Sequence, residues 1–182
     1  MPGLVILDRD GVINQDADAY VKSAAEWIPI PDSAEAIAQL CRAGFQVAVA
    51  TNQSGLARGY FTQADLDAMH HKMEQLISAA GGKLAGIFYC PHGPEQHCDC
   101  RKPLPGLIHQ IEQQLQVSAR GAYLIGDSLR DLQAGHQAGC TPILVRTGKG
   151  ERTLAKGEGL EGVPVFADLA AAVRWILDQR ST

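Results

Sequence analysis

The chain has 182 residues, 46% of them hydrophobic and 20% charged, and its formal net charge is -4. That length fits one domain over 1–182 with a core of its own, and the ordinary composition excludes a disordered chain. Weak acidity gives no long-range attraction to nucleic acid or anionic lipid, and no apolar run is long enough to cross a bilayer. The N-terminal stretch reaches acidic residues too early for a signal peptide, so a cytoplasmic protein with neither nucleic-acid nor membrane partners is expected. Nothing resembles a dimer seam, so a monomer is expected.

In chain order, short apolar runs at 4–7, 45–50, 86–90, 122–126, 142–146 and 163–166 read as strands. Between them, helical periodicity covers 33–43, 63–80, 105–116, 129–139 and 168–179. Pro31-Asp32-Ser33 signals the first helix start and Gly44 its stop, while Thr62 caps the second with Asp65 three residues on. The polar, glycine-rich segment 147–162 reads as a surface loop. Strands that are apolar throughout are buried on both faces. With helices between them they predict a doubly wound α/β fold on a mostly parallel sheet.

Ligands in such folds bind beyond the carboxyl ends of the strands, where strand order reverses. Each of the first four runs is followed there by a reactive or ligating side chain. Asp8 and Asp10 follow the first, Thr51 and Asn52 the second, Cys90 and His92 the third, and Asp127 the fourth. A lone D-x-D-G reads equally well as a polar turn. A calcium loop starting at Asp8 is excluded, because its sixth and twelfth positions hold Ile13 and Ala19. With Asp127 beside Asp8, three acids would repel one another unless a hard cation such as Mg²⁺ lay among them. The set suits phosphoryl transfer to a carboxylate. In that chemistry the Thr51 hydroxyl and the amides of Asn52, Gln53 and Ser54 donate to phosphate, Lys102 supplies positive charge, and Asp10 serves as acid and base.

Of the five cysteines, Cys90, Cys98 and Cys100 cluster with His92 as C-x-H-x5-C-x-C. Three thiolates and one imidazole form a closed tetrahedral set, the donor pattern of structural Zn²⁺. His97 competes with His92 for the fourth place, although its neighbour Cys98 makes joint ligation awkward. The loop 90–100 leads directly into Arg101 and Lys102. Cys41 and Cys140 read as small buried residues.

The segments DRDGVIN (8–14), TNQSG (51–55), RKP (101–103) and GDSLRD (126–131) resemble, in order, the four signatures of the haloacid dehalogenase superfamily of phosphotransferases. The resemblance covers residues 8 to about 146 and implies a Rossmann-like fold and a magnesium-dependent phosphomonoesterase. Asp8 then matches the nucleophile and Asp10 the acid/base residue, with the Asp10 carbonyl and Asp127 on magnesium. Thr51 and Lys102 match the phosphate-stabilising residues, and Asp131 more often supports the lysine or a metal-bound water. No segment is long enough for a large cap domain, which implies an open site. The zinc-bearing form is similar to two branches, the heptose bisphosphate 7-phosphatases and the histidinol-phosphate phosphatases. TNQSGLARGYFT (51–62) and VRTGKG (145–150) favour the first branch, and the five-residue zinc-loop gap favours the second. A sugar bisphosphate is the expected substrate. Arg101, Arg58 and Lys149 are candidates for its second phosphate, and Asp16 and Tyr20 for its hydroxyls. The alternatives are histidinol phosphate as substrate, a non-catalytic sugar-phosphate-binding protein on the same fold, or a zinc-ribbon nucleic-acid module. The last is opposed by the acidic balance.

Overall fold

A computed structural model describes residues 3–180. Its elements in chain order are β1 (Leu4–Leu7), α1 (Ser33–Arg42), β2 (Gln46–Asn52), α2 (Gln63–Ala79), β3 (Gly86–Cys90) and α3 (Gly106–Leu115). They continue with β4 (Tyr123–Gly126), α4 (Leu129–Gln137), β5 (Thr141–Val145), α5 (Gly150–Lys156), β6 (Val165–Phe166) and α6 (Leu169–Arg180). The strands form one sheet in the order β3-β2-β1-β4-β5-β6, and every neighbouring pair is parallel. Strand order reverses at β1, so the crevice between the ends of β1 and β4 is the switch point.

The sheet is buried on both faces because alternate residues of its central strands enter different cores. Val5, Leu7, Val47 and Val49 pack with Ile37, Leu40, Met69, Met73 and Ile176 from α1, α2 and α6. Leu4, Ile6, Ala48 and Ala50 face the other way, onto Leu107, Ile108 and Ile111 of α3 and Ala134 of α4. No helix among the described residues is long and apolar enough to cross a membrane.

Some helix starts follow local side-chain chemistry and others do not; the positions before α3 (Pro105) and α5 (Lys149) make no side-chain cap bond. Thr62 and Asp65 form the expected reciprocal capping box on α2, and Ser128 and Asp131 form another on α4. Asp32 precedes α1 in a left-handed conformation, φ 68°, and makes no side-chain cap bond. The reading of 147–162 as loop throughout requires correction, because Gly150–Lys156 is helical. Its interior residues are competent helix formers, and Gly157 stops it at φ 71°. The buried Thr153 hydroxyl donates to the Asp127 carbonyl at 2.8 Å, tying this turn under the end of β4.

Candidate active site

A cleft of about 200 Å³ lies at the switch point and is lined by Asp8, Asp10, Asp16, Tyr20, Thr51 to Ser54, Arg101, Lys102, Asp127, Arg130 and Lys149, among others. The register brings these residues together. Asp8 follows β1 directly, and its amide donates to Ile125 of β4 at 3.0 Å, fixing it beside Asp127. Gly11 then turns the chain at φ 85°, and a Cβ there would collide with the Asp127 carboxylate. Gly148, at φ 58°, approaches the same carboxylate from the other side. Both positions need glycine for the backbone conformation and for the close approach.

Lys102 Nζ lies 3.0 Å from Asp8 Oδ1 and 2.7 Å from Asp131 Oδ1, and all three side chains are largely buried. Asp131 Oδ2 accepts from the Ser128 hydroxyl and from the amides of Asp127 and Ser128. Asp131 is thus spent on holding Lys102 and the start of α4. Burial works against charge on Asp131, but Lys102 and the Ser128 donors hold its carboxyl below the usual carboxylate range. Burial also opposes charge on Lys102, yet Asp131 and Asp8 keep its ammonium above the ordinary lysine value.

Asp8 and Asp127 behave in the opposite way. Burial, aided by repulsion from Asp131 and Asp10 and only partly offset by Lys102, lifts Asp8 to about 7. Burial, then repulsion from Asp8 and Asp131, lifts Asp127 to about 9 despite a 2.9 Å hydrogen bond from the Lys149 amide. One carboxylate oxygen each from Asp8, Asp127 and Asp131 lie within 4.8 Å of one another. Asp8 and Asp127 resist ionisation beside the charged Asp131, and the cluster's hard oxygen donors fit a divalent cation of the magnesium type.

Asp10 is poised differently. It lines the same cleft, but its carboxyl is held below the usual range. Burial opposes that charge, and Arg9, Asn14 and Gln53 outweigh it by donating hydrogen bonds to the carboxylate. Thr51 is buried and its hydroxyl accepts from Gln53 Nε2 at 3.0 Å, so Gln53 bridges Thr51 and Asp10. Asn52 faces away from any substrate role of its side chain, because its amide clamps the backbone of Lys102.

Beyond β3, the Sγ atoms of Cys90, Cys98 and Cys100 and Nδ1 of His92 lie within 4.8 Å of one another. All three cysteines are free thiols. The donor set S₃N fits tetrahedral zinc. His97 is exposed and stands outside the cluster. Burial resists ionisation of all three thiols and holds Cys90 and Cys100 above the usual thiol range, whereas at Cys98 the amides of Arg101 and Cys100 outweigh it and bring it down to about 7. Arg101 Nη1 donates to the His92 carbonyl at 3.2 Å, which couples the cluster to the cleft.

The remaining candidates divide. Tyr20 lines the cleft in a left-handed conformation, φ 72°, its ring centroid 5.1 Å from that of Tyr60. Asp16 lines it with Oδ2 3.8 Å from Lys149 Nζ. Arg58 is exposed and is not among the cleft-lining residues. Sequence reasoning missed Arg130, Gly148 and Arg9. Arg130 sits within the fourth signature, but only its place on α4 shows that it reaches the rim.

Similarity to known proteins agrees with this arrangement. The HAD-hydrolase-like family model matches residues 99–172. A Pseudomonas putida D-glycero-β-D-manno-heptose-1,7-bisphosphate 7-phosphatase is 54% identical over 174 residues, spanning 96% of this chain and 99% of that protein. The chain belongs to the heptose-1,7-bisphosphate 7-phosphatase family of HAD-like hydrolases. Among solved members of that family, the Bordetella bronchiseptica D,D-heptose 1,7-bisphosphate phosphatase complexed with magnesium and phosphate superimposes with a TM-score of 0.94. It is 54% identical and covers 98% of this chain and 99% of its own. The Burkholderia thailandensis D,D-heptose 1,7-bisphosphate phosphatase superimposes with a TM-score of 0.76 at 42% identity, covering 99% of both chains. The fold is that of the family, and the described residues include no large cap domain.

Proposed function

We propose that this chain is a magnesium-dependent phosphomonoesterase that removes the 7-phosphate of D-glycero-β-D-manno-heptose 1,7-bisphosphate through an aspartyl-phosphate on Asp8. One observation carries the reading: Asp8, Asp10, Thr51, Lys102 and Asp127 converge on a single cleft beyond the ends of β1, β2 and β4. The identity of the substrate is supported by the names of relatives that match nearly the whole chain.

An Asp8 carboxylate oxygen attacks phosphorus as the bond to the sugar oxygen breaks; Asp10, ionised in the free site, takes up a proton in the substrate complex and passes it to that oxygen. Asp10 then takes a proton from the water that attacks phosphorus, releasing inorganic phosphate and free Asp8. Lys102, the Thr51 hydroxyl and the amides of Asn52, Gln53 and Ser54 offset charge on the phosphoryl oxygens. Asp8 and Asp127, with the Asp10 carbonyl, would hold the magnesium ion, which supplies charge neutralisation to the phosphoryl group. Cys90, His92, Cys98 and Cys100 would hold zinc in a structural role, setting the path of the chain into Arg101 and Lys102.

The distal phosphate needs its own cations. Arg101, Arg130 and Lys149 line the cleft and Arg58 does not, so the first three are assigned to it. Asp16 and Tyr20 are assigned to the sugar hydroxyls. The five free thiols suit the reducing cytoplasm, where the chain acts as a monomer on a small-molecule substrate.

A direct comparison of magnesium-dependent phosphate release from the heptose bisphosphate and from histidinol phosphate tests the assignment. A higher kcat/KM for the heptose bisphosphate is expected, and a higher value for histidinol phosphate would contradict it.

A further inference from the structure

Asp10 is gripped on one oxygen and left open on the other. Arg9 Nε and Nη2 donate to Oδ1 at 3.0 and 2.8 Å, and Asn14 Nδ2 adds a third donor at 2.9 Å. Oδ2 accepts from Gln53 Nε2 at 3.1 Å and keeps acceptor capacity. The same Gln53 nitrogen also donates to the Thr51 hydroxyl, so Oδ2 is the oxygen on the phosphate-binding side. Asn14 is fully buried, and its Oδ1 has no hydrogen-bond partner. Its orientation therefore serves the two hydrogens it donates, to Asp10 and to the Gln15 carbonyl.

The arginine that grips Asp10 is itself held. Arg9 is 0% exposed, and its remaining arm, Nη1, lies 3.2 Å from Nε2 of His70 on α2. A guanidinium has no acceptor and stays protonated, so Nε2 must accept, which leaves His70 neutral with its hydrogen on Nδ1. Burial, reinforced by the charge of Arg9, pushes His70 down to about 4, in keeping with that state. His70 stands sixty-one positions from Arg9 in sequence, and their contact joins the turn after β1 to α2.

We propose that His70 and Arg9 are positioning residues for the proton-transfer steps. His70 orients the guanidinium fork, the fork fixes Oδ1 of Asp10, and Oδ2 is thereby aimed as the oxygen that exchanges the proton. The proton leaves Oδ2 for the departing oxygen as the P–O bond breaks, and the attacking water returns one to Oδ2. The proposal rests on the reading of Asp10 as the acid/base residue. A buried arginine that only neutralised Asp10 could be replaced by lysine without selective loss, whereas an aiming device fails when the fork is lost, and most where the leaving group needs its proton.

The experiment measures kcat/KM across phosphomonoesters running from aryl to alkyl leaving groups. His70→Phe keeps the ring beside Tyr89, now 6.0 Å between centroids, and removes Nε2. It is expected to lose about tenfold on alkyl phosphates and less than about twofold on p-nitrophenyl phosphate, within the range of general acid catalysis. His70→Gln, which restores an acceptor, should return most of the alkyl activity. Arg9→Lys keeps the charge without the fork and should repeat the selective loss, serving in place of His70→Phe if that variant does not fold. Equal loss on every leaving group, no loss, or failure of His70→Gln to rescue would overturn the proposal. Asp10→Asn is run alongside. If it too lacks leaving-group selectivity, the acid/base reading falls and takes the proposal with it. If it alone is selective, only the positioning role falls.

Discussion

The side-chain amide of Asn52 grips the backbone of Lys102 from both ends: Oδ1 accepts from the Lys102 amide at 3.0 Å and Nδ2 donates to its carbonyl at 3.3 Å. Residues fifty positions apart are thus locked as strand neighbours would be, and the lysine that bridges Asp8 and Asp131 starts from a fixed backbone. The end of β2 therefore sets the position of a cation that comes from the loop after β3.

Asn52→Ala removes both bonds and leaves the Lys102 amide to find water. A loss of about tenfold or more in kcat/KM is expected, because small displacements of a charge-stabilising group are costly. Steady-state kinetics check this, and an unchanged kcat/KM would show that Lys102 is placed by its ion pairs alone. Lys102→Ala should cost more, on the order of a hundredfold in kcat. It should also destabilise the fold, since Asp131 keeps a buried charge without its partner.

The Cys90, His92, Cys98 and Cys100 cluster, read as a zinc site, predicts a metal that magnesium cannot replace. Purified protein should carry about one zinc per chain, and Cys98→Ser should lower zinc content and kcat/KM together by roughly tenfold or more. Elemental analysis beside kinetics tests this. A zinc-free variant with full activity would separate the loop from the placement of Arg101 and Lys102.

The raised carboxyls give a signed pH dependence. Asp8, at about 7, and Asp127, at about 9, bind protons more tightly folded than unfolded. Their contribution to metal-free stability is therefore full below about pH 4 and is lost as pH rises through 7 and 9. Asp10 and Asp131, held low, and Lys102, held high, keep one charge state across that window. Magnesium competes with those protons, so its effect on Tm should grow between about pH 6 and pH 9, by a few degrees. Thermal melts with and without magnesium read the difference, and an increment that shrank with rising pH would contradict the arrangement.

Arg101 should discriminate by substrate. Its guanidinium lines the cleft and is braced by the His92 carbonyl. Arg101→Ala is expected to raise KM about tenfold for the heptose bisphosphate while changing KM for a monophosphate analogue less than about threefold, since only the former offers a second phosphate. An equal rise for both would place Arg101 on the reacting phosphate instead.

Much of this was legible before the fold was seen. Asp8, Asp10, Thr51 and Asp127 stand where apolar runs end abruptly in polar residues, and a parallel sheet carries such ends to one edge. The clustering of Cys90, His92, Cys98 and Cys100 was legible from spacing alone. What was hidden depends on contacts distant in sequence. Segment 150–156 reads as loop from its glycines although its interior residues form helix, and the Thr153 bond that ties it to the Asp127 carbonyl is a long-range contact. Arg9 stands between two acids with no sequence signal of its own, and only the fold, which brings its guanidinium to His70 on α2, shows what it holds. The motif assigns the Asn52 backbone amide to phosphate, and the clamp its side chain makes on Lys102 is a contact no local pattern reveals. Arg58 shares that motif's neighbourhood but lies outside the cleft lining, because the turn after Ser54 carries it to the surface.

The central claim is that Asp8 carries the phosphoryl group during turnover, and trapping it is the most direct measurement. Asp10→Asn should form the aspartyl-phosphate and hydrolyse it slowly, so an acid quench followed by peptide mass spectrometry should find one added phosphoryl group on Asp8. Asp8→Asn should show neither the adduct nor turnover. A phosphoryl group on another residue, or sustained phosphate release by Asp8→Asn, would contradict the account.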